Sequence, residues 1–247
     1  MTRFYLGTHQ ANWLWRHNVP LFVSRTRLFN KAKRFPTATT SWALDSGGFS
    51  EIHKHGRWTL SLSNYVEFVL RCDDQLGLMD FAAPMDWMCE RSSLDATGKT
   101  VQEHQELTVE NFLLLRKELG RRVIPVLQGD TMDSYHRCVE MYDNAGVQLQ
   151  LEDRVGLGSV CRRQSTNEIV NLCSELGELP LHGFGVKTKG LQQLPPGTFR
   201  SVDSLSWSFA ARYGEPLPGC THRACSSCFL YASKWRDNLF RSTEGLE

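Results

Sequence analysis

The sequence predicts an α/β fold, a (β/α)8 barrel of the TIM type that forms a single domain over residues 1–247. Eight short apolar segments recur along the chain, and helical patterns separate most of them. Strands that alternate with helices pair in parallel through crossover connections. Eight such strands in about 250 residues is what a barrel of this type requires. An open doubly wound sheet is the alternative, but the chain has no G-x-G-x-x-G or P-loop pattern to support it.

Apolar runs, periodicity and helix end signals place the elements in order. Strands are expected at 3–7, 20–24, 42–45, 81–87, 122–127, 154–159, 181–186 and 199–205. Helices are expected at 25–35, 61–76, 100–119, 132–144, 165–176 and 228–240. Ser61 or Ser63 is the expected cap of the second helix, and Gly77 its end. Ser165 and Glu168 have the spacing of a capping box.

The composition is that of a globular protein with a full core, since 41% of residues are hydrophobic and 22% are charged. No apolar run approaches the ~20 residues that a membrane span needs, and the N-terminus lacks the apolar core of a signal peptide. We therefore expect a soluble, cytoplasmic protein with no membrane partner. Five of the eight cysteines are scattered singly and three fall close together, unlike a secreted disulfide framework.

Charge is distributed unevenly, although the formal net charge is only +1. No acidic residue precedes Asp45, whereas the same segment holds basic residues interleaved with aromatic ones. A segment of one sign in a near-neutral protein favours a surface that faces phosphates, and bases stack on aromatic rings. A solvated basic face without a partner is the alternative. The basic residues are Arg3, Arg16, Arg25, Arg27, Lys31, Lys33 and Arg34.

Polar residues stand at the ends of the predicted strands. In a barrel, the carboxyl ends of the strands meet at one mouth, where catalytic groups are placed. The alternative for each residue is a helix N-cap, which Asp and Ser often supply. Asp45 and Asp203 fit that alternative less well, because they lie between apolar and aromatic residues. The strand-end residues are His9, Asp45, Ser46, Asp86, Gln128, Ser159, Lys187 and Asp203.

A group of metal-ligand residue types lies near the C-terminus: Cys220, His222, Cys225 and Cys228. Thiolates and an imidazole at this close spacing suit tetrahedral zinc, and four protein ligands leave no open position for catalysis. We therefore expect a small zinc-binding insertion at 217–230 with a structural role. A reduced cysteine cluster without a metal is the alternative.

Together, the strand-end motifs resemble the tRNA-guanine transglycosylase superfamily, the queuine tRNA-ribosyltransferases. Five segments resemble its motifs in the same order, over about residues 40–230. The opening 4–9, with Trp13 and Leu14 after it, resembles the deazapurine DNA-modification (DpdA-type) branch, whose members act on DNA. The zinc motif departs from the family pattern of Cys-x-Cys-x-x-Cys plus a distant histidine, because His222 is the middle ligand here. The five segments are 45–49, 85–86, 126–129, 156–158 and 201–204.

The resemblance implies base exchange at a nucleotide, in which guanine leaves DNA and a 7-deazaguanine such as preQ0 enters. It implies that Asp203 is the nucleophile of a covalent glycosyl intermediate and that Asp45 is a general acid/base, a chemistry known from retaining glycosidases. It also implies that Asp86 binds the N–H groups of the base, Gln128 and the loop backbone its carbonyl side, and Phe49 its face. The expected base-binding residues are Ser46, Phe49, Asp86, Gln128, Gly156, Leu157 and Gly158.

Three alternatives remain open at this point. One is the same exchange on tRNA, which is also a polyanion. Another is a catalytically inactive, zinc-bearing protein that only binds nucleic acid. A metal-dependent hydrolase is disfavoured, because the strand ends lack paired histidines for an open metal site. The expected partners are DNA (tRNA in the first alternative), the 7-deazaguanine base and accessory DNA-modification proteins.

Overall fold

A parallel β-sheet lies at the centre of the computed structural model, which describes residues 1–29, 34–159, 166–186 and 188–247. Within these residues the sheet has eight strands, and every pair of hydrogen-bonded neighbours is parallel. The predicted α/β class is confirmed. The strands are β1 Arg3–Thr8, β2 Leu21–Ser24, β3 Trp42–Asp45, β4 Met79–Ala82, β5 Val126–Leu127, β6 Val155–Leu157, β7 Leu181–Gly183 and β8 Ser201–Ser204.

The sheet curves round so that its two edge strands meet. Its strand order is β4-β3-β2-β1-β8-β7-β6-β5. In the part of the chain that is described, the β4 and β5 sides are joined by one parallel bridge between Ala82 and Val123. There the Ile124 N–H donates to the Ala82 carbonyl over 3.3 Å. By contrast, β2 and β3 pair over their whole length, so the β4–β5 seam is the weak join of the barrel.

Helices cover the outside of the sheet. None in the described ranges combines the length and the hydrophobicity that crossing a membrane requires. Short 3₁₀ helices lie at Ala11–Trp15, Gly120–Arg122 and Leu149–Leu151. The α-helices are α1 Arg25–Leu28, α2 Gly48–His55, α3 Leu62–Leu76, α4 Arg91–Thr97, α5 Val101–Leu119, α6 Met132–Asn144, α7 Thr166–Glu175, α8 Thr188–Gln193, α9 Ser206–Tyr213 and α10 Phe229–Ser242.

The end signals predicted for the second long helix, Ser61 and Gly77, are confirmed. The Ser61 hydroxyl accepts the Asn64 N–H at the start of α3 over 3.2 Å, and Gly77 ends that helix with φ of +63°. Helix α5 begins with a capping box between Thr100 and Glu103. The predicted capping box at the start of α7 involves residue 165, which lies outside the described residues.

Short elements account for most of the differences from the sequence predictions. Helices α2, α4, α8 and α9 were not predicted, because each is only about two turns long and holds too few residues for a periodic pattern to be recognised. The predicted helix 25–35 begins with α1, but residues 30–33 are outside the described residues. The predicted strand 81–87 was too long: β4 ends at Ala82, and Pro84 has no N–H with which to continue the ladder. Asp86 therefore lies on a loop.

Two apolar layers follow from the alternation of side chains along the strands. Residues that point outward pack under the helices in the main core. Residues that point inward form a smaller cluster inside the barrel, consisting of Tyr5, Phe22, Ala43, Phe81 and Ile124. This inner cluster lies inside the barrel, below the polar side chains at the carboxyl ends of the strands.

Candidate active site

A cavity of about 210 Å³ opens at the carboxyl ends of the strands. Pockets for drug-sized ligands typically measure about 300–1,000 Å³, so this cavity suits a smaller group such as one bicyclic ring system. The structure brings seven of the nine predicted catalytic and base-binding residues to its wall. These residues are Asp45, Ser46, Phe49, Asp86, Gln128, Gly158 and Asp203.

The other two predicted base-binding residues do not line the cavity. Gly156 faces the barrel interior, where a Cβ would lie only 2.5 Å from the Phe184 ring. Leu157 packs in the main core, and its carbonyl accepts the Phe184 N–H over 3.5 Å. Their contacts in the structure are with the barrel itself, and a base-binding role for them stays a prediction.

The segment 45–49 forms the turn from β3 into α2. The Asp45 carboxylate accepts the Gly47 N–H over 3.1 Å, and Gly47 has φ of +78°, which glycine adopts without steric cost. A Cβ at Gly48 would lie 3.0 Å from the Trp58 ring and 3.4 Å from the Asp86 carboxylate. The two glycines therefore let protein atoms pack closely around the turn, and the space beside Gly48 is filled by the protein.

Arg25, the first residue of α1, holds this turn in place. Its buried guanidinium donates to the Ser46 carbonyl over 2.9 Å and to the Glu51 carboxylate over 2.7 Å. The second Glu51 oxygen accepts the N–H and the hydroxyl of Thr59. Burial acts to raise the pKa of Glu51, but the hydrogen bonds from Thr59 and Arg25 outweigh it and lower the pKa. The charge pattern predicted Arg25 on a surface that faces phosphates. In the structure it is buried, and it holds the turn 45–49 in place.

The other basic residues of the N-terminal segment do not lie on the same surface. Arg3 lies at the opposite end of the barrel, where its guanidinium donates to the Ser41 hydroxyl over 2.5 Å. The aromatic residues Trp13 and Phe35, interleaved with the basic ones, are buried. Lys31 and Lys33 fall outside the described residues. Among the positions that are described, the segment does not form one continuous basic face.

Positive charge does occur at one side of the barrel mouth. Burial lowers the pKa of His9, which follows β1, and the charges of Arg27 and Arg212 lower it further. Helix α9, which carries Arg212, exposes the rings of Phe209 and Tyr213. The centroids of these two rings are 5.0 Å apart. Cations next to exposed aromatic rings are the groups that bind a nucleic-acid backbone and its unstacked bases.

Asp86 turns its carboxyl group into the cavity from the loop after β4. One oxygen accepts a Gln128 side-chain N–H over 2.6 Å, and the other lies 3.4 Å from the Ser46 hydroxyl. Burial raises the pKa of Asp86 to about 7, and the charge of Asp45 adds to the rise. Asp86 therefore changes between a charged acceptor and a neutral acid close to neutral pH.

The Gln128 amide is held at both ends. Its Nε2 donates to Asp86, and its Oε1 accepts the Ser159 hydroxyl proton over 2.6 Å. Ser159 also accepts the Cys89 N–H over 2.8 Å, and its φ of +58° is uncommon outside glycine. A Cβ at Gly158 would collide with the amide. The orientation of the amide is thus fixed, and no described residue takes the second N–H of Nε2.

Asp203 has two oxygens in different surroundings. It pairs in register with Tyr5 on β1, so its side chain points into the barrel. Its Oδ1 accepts the Gly185 N–H over 3.0 Å and lies 3.5 Å from Nε2 of His182. Among the described residues, no hydrogen bond reaches Oδ2. Oδ2 is therefore the Asp203 oxygen that faces the cavity without a donor from the described residues.

The carboxyl groups of Asp45, Asp86 and Asp203 thus share one small cavity, which Glu90 also lines. Burial raises the pKa of Asp45, against the opposing hydrogen bond from Gly47, and the charge of Asp203 contributes to the rise. The cation beside Asp45 is Arg25, which is already paired with Glu51. Such a site favours a neutral ligand with several N–H donors. A carboxyl group with a raised pKa also suits general acid–base chemistry.

A second cavity, of about 520 Å³, adjoins the first. Glu90 and Ser159 line both cavities, and Arg91 and Asp95 of α4 form part of the outer wall. Arg91 and Asp95 are paired at 2.9 Å. A ligand longer than one ring system has room to continue from the first cavity into the second.

The loop between α9 and α10 brings the four predicted metal ligands together. The ligand atoms of Cys220, His222, Cys225 and Cys228 all lie within 4.8 Å of one another, and His222 is 3.0 Å from the Cys225 sulfur. A tetrahedral zinc with Zn–S bonds of ~2.3 Å needs its sulfur atoms ~3.8 Å apart, so small shifts suffice. Desolvation raises the pKa of Cys220 to about 11, and the neighbouring thiols add to the rise. The cluster therefore fits a cation that would hold these thiols ionised.

The metal-ligand loop is tied to the helix that follows β8. The Ser208 hydroxyl of α9 donates to the Ser226 carbonyl over 2.8 Å. Cys228 immediately precedes α10, whose Phe229 ring stacks on His17 with 3.5 Å between centroids. A bound ion would therefore fix how α9 and α10 pack beside the strand that carries Asp203.

Sequence reasoning did not assign a role in the site to Arg25, Ser159 or His182. His182 stands at an inward position of the predicted strand 181–186, so a period-of-two reading could have found it. Ser159 was expected at a strand end, with a helix N-cap as the alternative to a functional role. Nothing in the sequence linked Arg25 to Glu51, because the two residues meet only through the packing of α1 on α2.

Comparison with known proteins agrees with these observations. No curated protein matched the chain. The family described as DpdA, DeoxyPurine in DNA protein A, matches residues 1–247. This match confirms the resemblance to the deazapurine DNA-modification branch. The chain belongs to the DpdA family.

Proposed function

We propose that this protein is a DNA-guanine transglycosylase that exchanges guanine for a 7-deazaguanine of the preQ0 type. The observation that carries the proposal is the convergence of Asp45, Asp86 and Asp203 on one cavity, with Gln128 fixed beside them. The family description supports DNA as the nucleic acid. The cavity volume of about 210 Å³ is of the size expected for a single base.

Recognition of the base would rest on Asp86 and Gln128. The ionised carboxylate of Asp86 accepts from the ring N–H and the exocyclic amine of guanine, while the second N–H of Gln128 donates to the carbonyl. Guanine and 7-deazaguanine share this edge and differ at position 7, so the same two side chains serve both bases. Phe49, 42% exposed at the cavity edge, supplies a ring for the face of the base.

The chemistry consists of two displacements at C1′. Oδ2 of Asp203 attacks C1′ as the bond from C1′ to N9 of guanine breaks, and the electron pair of that bond leaves with guanine, which takes a proton from Asp45. The incoming base then gives its N9 proton to Asp45, and N9 attacks C1′ and displaces the Asp203 carboxylate. Protons and charges balance over the cycle, and configuration is retained. The raised pKa of Asp45 supports its part as both acid and base.

The DNA would approach from the side of Arg27 and Arg212, where cations and the exposed rings of Phe209 and Tyr213 occur together. The target base must leave the duplex stack to enter the cavity, at a cost of a few kcal/mol. Stacking on exposed aromatic rings offsets part of that cost, by about 1–3 kcal/mol per base.

We also propose that the Cys220, His222, Cys225 and Cys228 cluster holds zinc. An ion with four protein ligands has no open position for substrate, so it would cross-link the loop and take no part in base exchange.

Labelled preQ0 incubated with the protein and either DNA or tRNA tests the proposal. We expect label to enter DNA, and we expect Asp203→Asn to abolish incorporation while DNA binding is kept. Label in tRNA alone would identify the tRNA alternative. Incorporation by Asp203→Asn at the normal rate would remove Asp203 from the nucleophile's role. DNA binding without any exchange, for labelled guanine as well as preQ0, would identify a nucleic-acid-binding protein without activity.

A further inference from the structure

His182 lies buried directly beneath Asp203, at the centre of the barrel. Its ring is surrounded by aromatic residues, with the nearest centroids, those of Phe184 and Phe81, 4.7 and 4.9 Å away. A buried imidazole in apolar surroundings is costly unless its nitrogen atoms find partners. Nδ1 lies 2.8 Å from the Ser201 hydroxyl. Nε2 makes no hydrogen bond among the described residues, and the carboxylate oxygen facing it is Oδ1 of Asp203, 3.5 Å away.

A chain of hydrogen bonds below His182 indicates where its proton lies. Arg154 can only donate, and its Nε donates to the Ser201 hydroxyl over 3.1 Å. The Ser201 proton is then available to Nδ1 of His182, which leaves the ring proton on Nε2. In this tautomer an N–H faces the carboxylate of Asp203. The opposite tautomer would set a nitrogen lone pair against a negatively charged oxygen.

The charges around His182 favour its neutral form. Burial lowers the pKa of His182, the Asp203 carboxylate opposes this effect, and Arg154 reinforces it. Tyr5 is the other titratable group beside the ring, and burial raises its pKa above its usual range. The Tyr5 hydroxyl accepts from Arg154 over 3.2 Å and donates to Asp80 over 2.6 Å. His182 is thus a neutral donor held between one acid above and one cation below.

We propose that His182 is a positioning residue for the nucleophile: the Gly185 N–H binds Oδ1 of Asp203, the His182 N–H moves onto the same oxygen when substrate is bound, and Oδ2 is thereby left to face C1′. This inference rests on the proposed function, in which Asp203 forms the covalent intermediate. When Oδ2 bonds to C1′, Oδ1 becomes the carbonyl oxygen of the ester and keeps its donors. When the incoming base displaces the carboxylate, the returning negative charge is shared with Oδ1 and stabilised by the same N–H.

Three substitutions separate this role from simple core packing. His182→Phe fills the site without a donor. His182→Gln carries an amide N–H to about the level of Nε2, whereas His182→Asn reaches only about the level of Nδ1. We expect His182→Phe and His182→Asn to slow formation of the covalent DNA adduct about ten- to a hundredfold. The KM for the base and the affinity for DNA should stay within twofold, and His182→Gln should recover most of the rate.

Thermal unfolding of each variant establishes that it is folded. If His182→Phe does not fold, the comparison between His182→Gln and His182→Asn decides, because both replace the ring with an amide. A normal adduct rate in His182→Asn, or equal losses in the Gln and Asn variants, would overturn the inference. The proposed function fails in a different way: either the wild type exchanges no base, or Asp203→Asn retains base exchange whatever residue stands at 182.

Discussion

Replacing Asp86 with Asn should stabilise the folded protein while it weakens base binding. The carboxyl group has a pKa of about 7 in the fold, against 3.8 in an unperturbed chain. Between these two values the folded state keeps a proton that the unfolded state has lost. The stability of the wild type therefore falls as the pH rises from about 4 to 7, and then levels off. Asn is neutral at every pH, so the Asp86→Asn variant does not lose this stability as the pH rises.

The magnitude follows from the two pKa values. Relative to a neutral side chain, the buried carboxyl group costs about 2 kcal/mol at pH 5 and about 4 kcal/mol at pH 7 and above. An Asn side chain can still accept from Gln128, so the surrounding hydrogen bonds are largely retained. We therefore expect Asp86→Asn to exceed the wild type in free energy of unfolding by an amount that grows by about 2–3 kcal/mol between pH 5 and 8.

Urea denaturation at several pH values between 5 and 8 measures this difference. Asp74→Asn, on the exposed face of α3, is the matched control and should show little pH-dependent gain. In the wild type, affinity for guanine should rise between pH 6 and 8 as Asp86 ionises, and Asp86→Asn should lose affinity at least tenfold. A stability difference that stays constant with pH, or a variant that is less stable throughout, would refute the reasoning.

Further substitutions test the supporting parts of the site. Gly158→Ala should displace the Gln128 amide, destabilise the fold by about 1–3 kcal/mol and reduce base affinity, as measured by calorimetry. Cys225→Ser should remove bound metal, as measured by elemental analysis, and should lower the unfolding temperature. Arg25→Met should destabilise the protein by about 3–5 kcal/mol, because it leaves the Glu51 carboxylate without its cation, yet the salt dependence of DNA binding should not change.

Each of these substitutions has a control within the chain. Gly190→Ala in α8 meets only ordinary contacts and should leave base affinity unchanged. Cys173→Ala removes a buried thiol outside the metal cluster and should keep the metal content. Arg25→Lys keeps the charge and should be less destabilising than Arg25→Met. Metal content that survives Cys225→Ser, or a weaker salt dependence in Arg25→Met, would contradict the roles assigned here.

The alternation of apolar strands and helices was enough to predict the fold class, because parallel strands need crossovers and both patterns are local. The same locality placed Asp45 and Asp203 at strand ends. Asp86 reached the cavity although its strand was predicted too long, since Pro84 ends β4 early and the loop carries the carboxyl group inward. Asp86 was therefore placed correctly at the cavity, although the end of its strand was predicted wrongly.

What sequence reasoning could not supply was the pairing of distant side chains. Arg25 looked like part of a basic surface, because the partner that draws it inward, Glu51, is 26 positions away. The orientation of the Gln128 amide depends on Ser159, whose backbone conformation no composition rule predicts. The position of His182 inside the barrel could be predicted only by knowing which face of β7 points inward. These are consequences of tertiary packing, which local patterns do not contain.

The Asp86–Gln128 hydrogen bond lies across the weakest join of the barrel. Asp86 follows β4 and Gln128 follows β5, the two strands that meet only at the Ala82–Val123 bridge within the described residues. A base that binds both side chains would hold β4 and β5 together. Local separation of these two strands would then require release of the base. Hydrogen exchange at the Ile124 amide should therefore slow by about a hundredfold when the base is present at a hundred times its Kd. The Leu6 amide, which bonds the Pro20 carbonyl beside β2, should change little.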